Sequence, residues 1–223
     1  MLIIASLTII IVVLAFSFHP VPTIVDNIGG KYNAVVTQWT DHTQLTYTDE
    51  TGQHNSTYFD NNMKPGLNWI NSSTPMNATF LCWWDYGHMI KAVGERNVIV
   101  RNPSNEILNS IADPNGLKEF DSNEKILDVA SALITDNQSK TVQIMEKYNA
   151  TYIMVGKNDL VNSVWFFKIS GLNYTDYLVN QGPSLGFTDL GQDTMIARLL
   201  SNRDTDPFTL VYGDQEMKIY KLA

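Results

Sequence analysis

The sequence has little cysteine and few basic residues. Cys82 is the single cysteine among 223 residues, which excludes an intrachain disulfide and a zinc site built from cysteines. The four histidines are scattered without the spacing of metal ligands. Lys and Arg number 15 against 23 acidic residues, so the formal net charge is -8. Binding of nucleic acid requires a basic face, and no nucleic-acid partner is therefore expected.

Positive charge is also missing from the N-terminus, where no Lys or Arg precedes Lys31. Residues 2–18 form an uncharged apolar run that is almost long enough to cross a bilayer at about 1.5 Å per residue. A cleaved signal peptide would need a basic first segment and a small-x-small cleavage site, and neither is clear. We therefore predict a retained transmembrane helix over residues 1–19, ended by Pro20 and Pro22. A signal peptide is the alternative interpretation.

The remaining chain is rich in Asn-X-Ser/Thr sequons. A high density of sequons is unusual in a cytosolic protein, although sequons also arise by chance in chains rich in Asn and Thr. We therefore expect a single-pass membrane protein whose C-terminal domain is extracytoplasmic, at an archaeal cell surface or in a lumen equivalent to that of the endoplasmic reticulum. The six sequons begin at Asn55, Asn71, Asn77, Asn137, Asn149 and Asn173.

The composition predicts three segments. After the membrane helix, residues 20–63 are polar and rich in turns, which is typical of a linker with a short hairpin. Residues 35–40 and 44–48 have the β-branched and aromatic character of strands, and Gly52 closes a turn after them. Residues 64–223 are predicted to form the C-terminal core domain.

The core domain has the pattern of a mixed α+β or α/β fold. Short continuous apolar runs predict buried strands, and amphipathic segments between them predict helices. We expect a small, largely parallel sheet flanked by helices, followed by a C-terminal hairpin that turns near Gly213. The predicted strands are 78–83, 97–101 and 151–155, the predicted hairpin is 208–212 with 217–222, and the predicted helices are 65–71, 86–93, 105–112, 122–134, 138–148 and 158–169.

One pentapeptide, Trp83-Trp84-Asp85-Tyr86-Gly87, lies where a predicted buried strand passes into a helix. Such junctions often carry functional side chains in α/β proteins. The Asp85 carboxylate can accept the proton of a Ser or Thr hydroxyl, and an indole N–H can donate to the hydroxyl oxygen. A pocket of this kind rejects a residue without the hydroxyl, because its own polar groups would be left unpaired.

A structural interpretation of the same residues is also open. Asp85 can serve as the N-cap of the helix, which contributes about 1 kcal/mol, and the two tryptophans can be core aromatics. Neighbouring residues of a strand point to opposite faces, so Trp83 and Trp84 are not expected to enter one face of a core together. The combination of residues therefore favours a functional site.

The pentapeptide is identical to the WWDYG motif of oligosaccharyltransferase catalytic subunits, and the chain resembles their C-terminal globular domain. The similarity is strongest over residues 64–104. In that family the motif binds the hydroxyl residue two places after the acceptor Asn, so the resemblance implies that Trp83, Trp84, Asp85, Tyr86 and Gly87 bind substrate. The flanking similarities are His88-Met89-Ile90, Gly94-Glu95-Arg96 and Asn102-Pro103-Ser104.

A later helix resembles the second motif of the family, in which Asp is followed by Lys three places on and by an apolar residue four places after the Lys. Asp159 matches the Asp of this motif. Asn162 replaces the Lys and therefore brings a hydrogen-bonding group without charge, and Phe166 replaces the usual Met or Ile. The resemblance implies that these residues support the same pocket, with Phe166 near a Thr methyl. Ordinary core packing of this helix is the alternative.

The resemblance implies that the complete enzyme transfers a lipid-linked glycan to the Asn of an Asn-X-Thr/Ser acceptor. The multispanning catalytic region of the family has no counterpart here, so no catalytic residue or cofactor is expected in this chain, and the chain alone is expected to be inactive. The complete enzyme is expected to use a divalent metal, Mg or Mn. A non-catalytic sequon-binding or assembly module is the second hypothesis, and a glycosylated surface protein is the third.

Overall fold

The structure is a computed structural model that describes residues 24–38, 43–102, 124–182 and 184–223. The membrane helix predicted over residues 1–19 and the helix predicted over 105–112 lie outside these residues. Within the part that the structure describes, no helix is long and apolar enough to cross a membrane. The chain divides into two compact units, one ending at Phe59 and one running from Asp60 to Ala223.

The first unit is a four-stranded antiparallel sheet in the order β1-β2-β3-β4. The predicted strand 35–40 is present as β2 in its described part, with residues 39 and 40 outside the described ranges, and the predicted strand 44–48 is confirmed as β3. The turn before Gly52 leads into β4. Alternate side chains are buried on one face, with Val36 facing Leu45 across the β2–β3 pair. The strands are β1 Ile24–Gly29, β2 Ala34–Gln38, β3 Thr43–Asp49 and β4 Gly52–Ser56.

The second unit is built on a five-stranded sheet in the order β10-β11-β7-β5-β6. The central strands are parallel, because β5 pairs in parallel with both β6 and β7. β11 pairs antiparallel with β7 and β10. The strands are β5 Thr79–Leu81, β6 Asn97–Val98, β7 Tyr152–Gly156, β10 Phe208–Gly213 and β11 Met217–Leu222.

The prediction of a largely parallel sheet was therefore correct for the centre of the sheet only. The C-terminal hairpin exists as predicted, but it joins the edge of the same sheet and makes it mixed. Every residue of β7 is buried, so the backbone groups on both of its edges require partner strands. β5 supplies one partner and β11 supplies the other.

Helices cover the sheet, as predicted. The predicted helices 65–71, 86–93, 122–134, 138–148 and 158–169 are all present in their described parts, with ends shifted by a few residues. They are α1 Lys64–Ser73, α2 Trp84–Ala92, α3 Glu124–Ile134, α4 Gln138–Lys147 and α5 Asp159–Ile169.

The elements between α5 and β10 were not predicted from the sequence. A two-stranded antiparallel hairpin is followed by two short helices, and the second helix buries Met195, Ile196 and Leu199. These elements are β8 Leu178–Gln181, β9 Ser184–Phe187, α6 Asp189–Gln192 and α7 Met195–Ser201.

The Arg96 side chain connects the end of α1 to the loop after α2 by hydrogen bonds. Its side chain is 2% exposed, and its guanidinium donates to the Thr74 hydroxyl and to backbone carbonyls of Asn71, Thr74, Gly94 and Glu95. The carbonyls at the end of α1 carry the negative pole of that helix, which favours a cation here.

Replacement of this cation is predicted to destabilise the second unit. The Arg96→Met variant keeps the apolar stem but leaves several buried carbonyls unpaired, so we expect a loss of about 3 kcal/mol in the free energy of unfolding. Urea denaturation of the full chain measures this loss. Arg203→Met is the matched control, because Arg203 donates to Gln192 at an exposed position and is expected to matter by less than about 0.5 kcal/mol. Equal losses in both variants would contradict the assigned role.

Candidate functional site

The pentapeptide begins after β5 has ended, and it forms the start of α2. Trp83 is the N-cap residue with extended φ and ψ of -66° and 150°, and the helix begins at Trp84. Both tryptophans therefore lie outside the strand, and the expectation that strand alternation separates them was wrong. Their rings stack instead, with centroids 3.9 Å apart and an interplanar angle of 29°.

The two stacked rings differ in their accessibility. Trp83 is 2% exposed and lies on the Phe166 ring, with centroids 4.5 Å apart. Phe166 is fully buried, so in this conformation it contacts Trp83 and is not open to a peptide methyl group. Trp84 is half-buried. Trp84 is therefore the ring that a ligand can reach, and Trp83 and Phe166 support it from behind.

Asp85 lies in the first turn of α2 and is not its N-cap, since Trp83 occupies that position. The half-buried carboxylate accepts a hydrogen bond from Asn162 Nδ2 at 3.2 Å and another from the Trp84 side chain. Burial raises the pKa of Asp85 above its ordinary value, and the two hydrogen bonds oppose that rise. The carboxylate thus retains lone pairs for a further donor.

Asp159 is the first residue of α5, and its carboxylate is fully buried. It accepts hydrogen bonds from Tyr86 Oη at 3.1 Å, from Gly156 N–H at 2.9 Å and from Asn162 Nδ2 at 3.2 Å. Burial is the main reason that the pKa of Asp159 rises to about 7, the hydrogen bonds oppose the rise, and the charge of Asp85 adds to it.

Asn162 joins the two predicted motifs. Its Nδ2 lies 3.2 Å from Asp85 Oδ2 and 3.2 Å from Asp159 Oδ1, so one neutral amide donates to two carboxylates. Asn162 therefore bridges the pentapeptide and α5 without contributing a charge.

Tyr86 and Gly87 fix the position of the pentapeptide through close packing. Tyr86 is 2% exposed, and a Cβ added to Gly156 would lie 2.4 Å from its hydroxyl oxygen. A Cβ added to Gly87 would lie 2.5 Å from the Val100 carbonyl oxygen. Both glycines are therefore required for steric reasons, and Gly87 faces the backbone after β6 instead of the carboxylates.

Sequence reasoning missed two neighbours of the carboxylates. Gly156 supplies a backbone N–H to Asp159, and its place at the end of a buried strand, three residues before the Asp, was the available signal. Cys82 is fully buried, and burial together with the charges of Asp159 and Asp85 raises the pKa of its thiol far above the usual range. The thiol is therefore protonated and unreactive.

Two cavities lie elsewhere in the second unit. One of about 320 Å³ is at the far end of α5, between Ser131, Ser170 and Tyr177, and one of about 270 Å³ borders Gly156 and Lys157. Neither cavity is lined by Trp84 or Asp85. In the ranges that the structure describes, no group of three or more His, Cys, Asp or Glu side chains is placed to hold a metal ion.

The raised pKa of Asp159 predicts a specific dependence of stability on pH. A carboxyl whose pKa rises from 3.8 to about 7 on folding stabilises the fold when protonated, and this contribution is lost as pH rises through that interval. Between about pH 4 and 7, the free energy of unfolding of the native chain should fall as the pH rises. This fall should be steeper than that of Asp159→Asn by up to about 1.4 kcal/mol per pH unit. Urea denaturation at several pH values measures both slopes.

The exposed carboxylate of Asp136 provides the control for this experiment. Asp136→Asn should keep the slope of the native chain, because that side chain is exposed. The assignment fails if Asp159→Asn and the native chain lose stability in parallel across the interval.

Parts of the sequence are similar to known glycosyltransferases. No protein-family model matches the sequence. The chain is 27% identical over 125 residues to the dolichyl-diphosphooligosaccharide–protein glycosyltransferase subunit STT3B of Oryza sativa, a match that covers 50% of this chain and 15% of that protein. It is 45% identical over 40 residues to the dolichyl-phosphooligosaccharide-protein glycotransferase of Methanocaldococcus jannaschii, covering 18% of this chain and 4% of that protein.

Solved structures give a similar result for the fold. The crystal structure of the C-terminal globular domain of oligosaccharyltransferase from Archaeoglobus fulgidus is similar over 74% of this chain and 99% of its own, with a TM-score of 0.56 and 19% identity. The chain therefore has the fold of that domain, and it spans only a small part of the length of the curated relatives.

Proposed function

Because the chain is homologous to oligosaccharyltransferase catalytic subunits and has the fold of their C-terminal globular domain, we propose that it recognises the Asn-X-Thr/Ser acceptor in protein N-glycosylation. In this proposal the hydroxyl of the Thr or Ser binds at Asp85 and Trp84. The transfer of the glycan from a lipid carrier to the acceptor Asn belongs to the complete enzyme.

The environment of Asp85 is the observation that carries the proposal. The carboxylate is half-buried, is held by the Trp84 side chain and Asn162, and keeps acceptor capacity for one more donor. A hydroxyl can donate to it, while the adjacent Trp84 ring shields that hydrogen bond from water. A peptide with an apolar residue in place of Thr would bury the carboxylate without supplying a donor, which costs about 1–3 kcal/mol.

The remaining machinery is assigned to a multispanning membrane region, present by fusion or association. We place the lipid-linked oligosaccharide and the divalent metal, Mg or Mn, with that region. The described residues of this chain do not fit a metal site, so no step is assigned to a metal here. The proposed location is the extracytoplasmic side of a membrane, with this chain attached by a single span.

A non-catalytic sequon-binding or assembly module is the second candidate. The observation that favours it is Asn162, which contributes no charge at the position between the two carboxylates. One experiment distinguishes the two functions. Mixing the chain with a multispanning oligosaccharyltransferase region restores glycan transfer under the first hypothesis and leaves it unrestored under the second.

Hydroxyl recognition at Asp85 is tested by peptide binding to the full chain. We expect an Asn-X-Thr peptide to bind about 10- to 100-fold more tightly than the same peptide with Val in place of Thr, since a hydrogen bond to a charged group contributes about 1.5–3 kcal/mol. Asp85→Ala should remove that preference, because the Thr hydroxyl loses its acceptor and the Val side chain no longer buries a carboxylate without a donor. Calorimetric titration at pH 8 measures each affinity.

The exposed Asp136 again supplies a matched variant, Asp136→Ala, which should retain the preference. Equal affinities of the native chain for the Thr and Val peptides would exclude the proposed recognition. A preference that survives in Asp85→Ala would assign the hydroxyl to another residue.

A further inference from the structure

The bridge between the two carboxylates consists of one amide group. Asn162 Nδ2 carries two hydrogens, and its distances to Asp85 Oδ2 and Asp159 Oδ1 are both 3.2 Å. The contacts of these carboxylates with described residues include no Lys, Arg or His side chain. A neutral side chain thus connects the two carboxylates.

The partners of Asp159 are arranged for its ionised form. The Tyr86 hydroxyl, the Gly156 N–H and the Asn162 amide all donate to it, and a protonated carboxyl needs an acceptor for its own hydrogen. The Gly156 N–H cannot accept. The Tyr86 hydroxyl would have to give up its donation to Asp159.

Among these three described partners, Asn162 offers the remaining acceptor, its carbonyl oxygen. No described residue donates a hydrogen bond to Asn162 Oδ1, and the half-buried side chain is not enclosed on every side. If the amide turns, Oδ1 accepts the Asp159 proton, and Nδ2 leaves Asp85. The Asp85 carboxylate then keeps the Trp84 donor but loses the group that orients it from α5.

We propose that Asn162 is a positioning residue whose amide couples acceptor binding at Asp85 to the protonation of Asp159. When Asp159 loses its proton, the Asn162 amide donates to Asp85 and orients its carboxylate to bind the hydroxyl. The proposal rests on the proposed function, because it assigns the hydroxyl to Asp85. Affinity for an Asn-X-Thr peptide is then high when Asp159 is ionised and falls as the pH drops through about 7, where Asp159 takes up its proton.

The elements next to this cluster carry other charged and titratable groups. On α2, Asp85 and Tyr86 belong to the cluster and His88 is half-buried one turn further on, while Cys82 precedes the helix. After β7, Lys157 forms ion pairs with Asp60 and Glu216.

The helices that pack along α5 carry their own charged groups. On α3, Glu124 and Asp128 pair with Lys147, and Lys125 is exposed. Arg198 lies on α7, and Lys168 at the far end of α5 lies over the Trp165 and Tyr174 rings. His88 is the neighbour that requires a control, since a histidine ordinarily changes charge between pH 5 and 8.

The coupling is tested first in the free protein by NMR. The Asn162 side-chain amide and the Trp84 indole N–H of the full chain are followed from pH 5.5 to 8.5. Both signals should shift with one common midpoint near 7, because the amide turns when Asp159 takes up its proton. Asp159→Asn should abolish that midpoint, and His88→Gln should retain it.

A second variant keeps the test decisive if Asp159→Asn does not fold. Asn162→Lys places an ammonium between the carboxylates, which keeps both ionised through the interval, so the Trp84 signal should stay constant. An Asn162 signal that does not titrate overturns the proposal. A midpoint that disappears only in His88→Gln overturns it as well, because histidine would then be its source.

Peptide binding separates this inference from the proposed function. The native chain should bind an Asn-X-Thr peptide about tenfold more weakly at pH 6 than at pH 8, as expected for one linked proton, and Asn162→Lys should bind equally at both. Equal binding by the native chain at both pH values overturns the coupling and leaves the proposed function standing. No binding at pH 8, together with a normal NMR titration, refutes hydroxyl recognition and the binding role of Asn162 with it.

Discussion

The site depends on a buried carboxylate that receives its hydrogen bonds from neutral groups of the described residues. Asp159 is fully buried, and its charge is compensated by the Tyr86 hydroxyl, the Gly156 N–H and the Asn162 amide. These donors belong to α2, to the end of β7 and to α5, so one side chain holds together the elements that carry both motifs. Burial of a carboxylate that is not paired with a cation costs desolvation free energy, and the raised pKa of Asp159 results from this cost.

This constraint also explains the arrangement of the aromatic residues. Tyr86 must lie against Gly156 to reach Asp159, which fixes α2 at its first turn. Trp83 is then held between Phe166 and Trp84, and Trp84 forms the accessible side of the stack. The residues of the pentapeptide therefore divide into those that build the site and those that a ligand can contact, Trp84 and Asp85.

Local sequence patterns predicted much of the fold. The apolar runs at β5 and β7 and the C-terminal hairpin are short-range features, and they were recognised from continuous apolar residues and a turn near Gly213. The pairing of β11 with β7 was not predictable in this way, because the choice of a neighbouring strand depends on distant residues. The helices α6 and α7 lacked a long periodic pattern, which is the signal that identifies helices reliably.

The residues of the site were identified from sequence, but their arrangement was not. Both segments were recognised by resemblance, and the structure brings Asp85 and Asp159 onto the same amide of Asn162. The stacking of Trp83 on Trp84 depended on whether the helix began at Trp84 or at Tyr86, a difference that lies within the uncertainty of any boundary derived from sequence. The role of Gly156 required the three-dimensional contact.

The central claim is that Trp84 and Asp85 together recognise a hydroxyl, and the indole N–H of Trp84 reports on it most directly. The full chain with isotope-labelled Trp is titrated with an Asn-X-Thr peptide and with its Asn-X-Val counterpart, and the indole signals are followed by NMR. The account predicts that Trp84 shifts with the Thr peptide alone, while Trp69 and Trp165, which lie outside the pentapeptide, do not respond. Equal shifts with both peptides, or none at millimolar peptide in the folded chain, would contradict it.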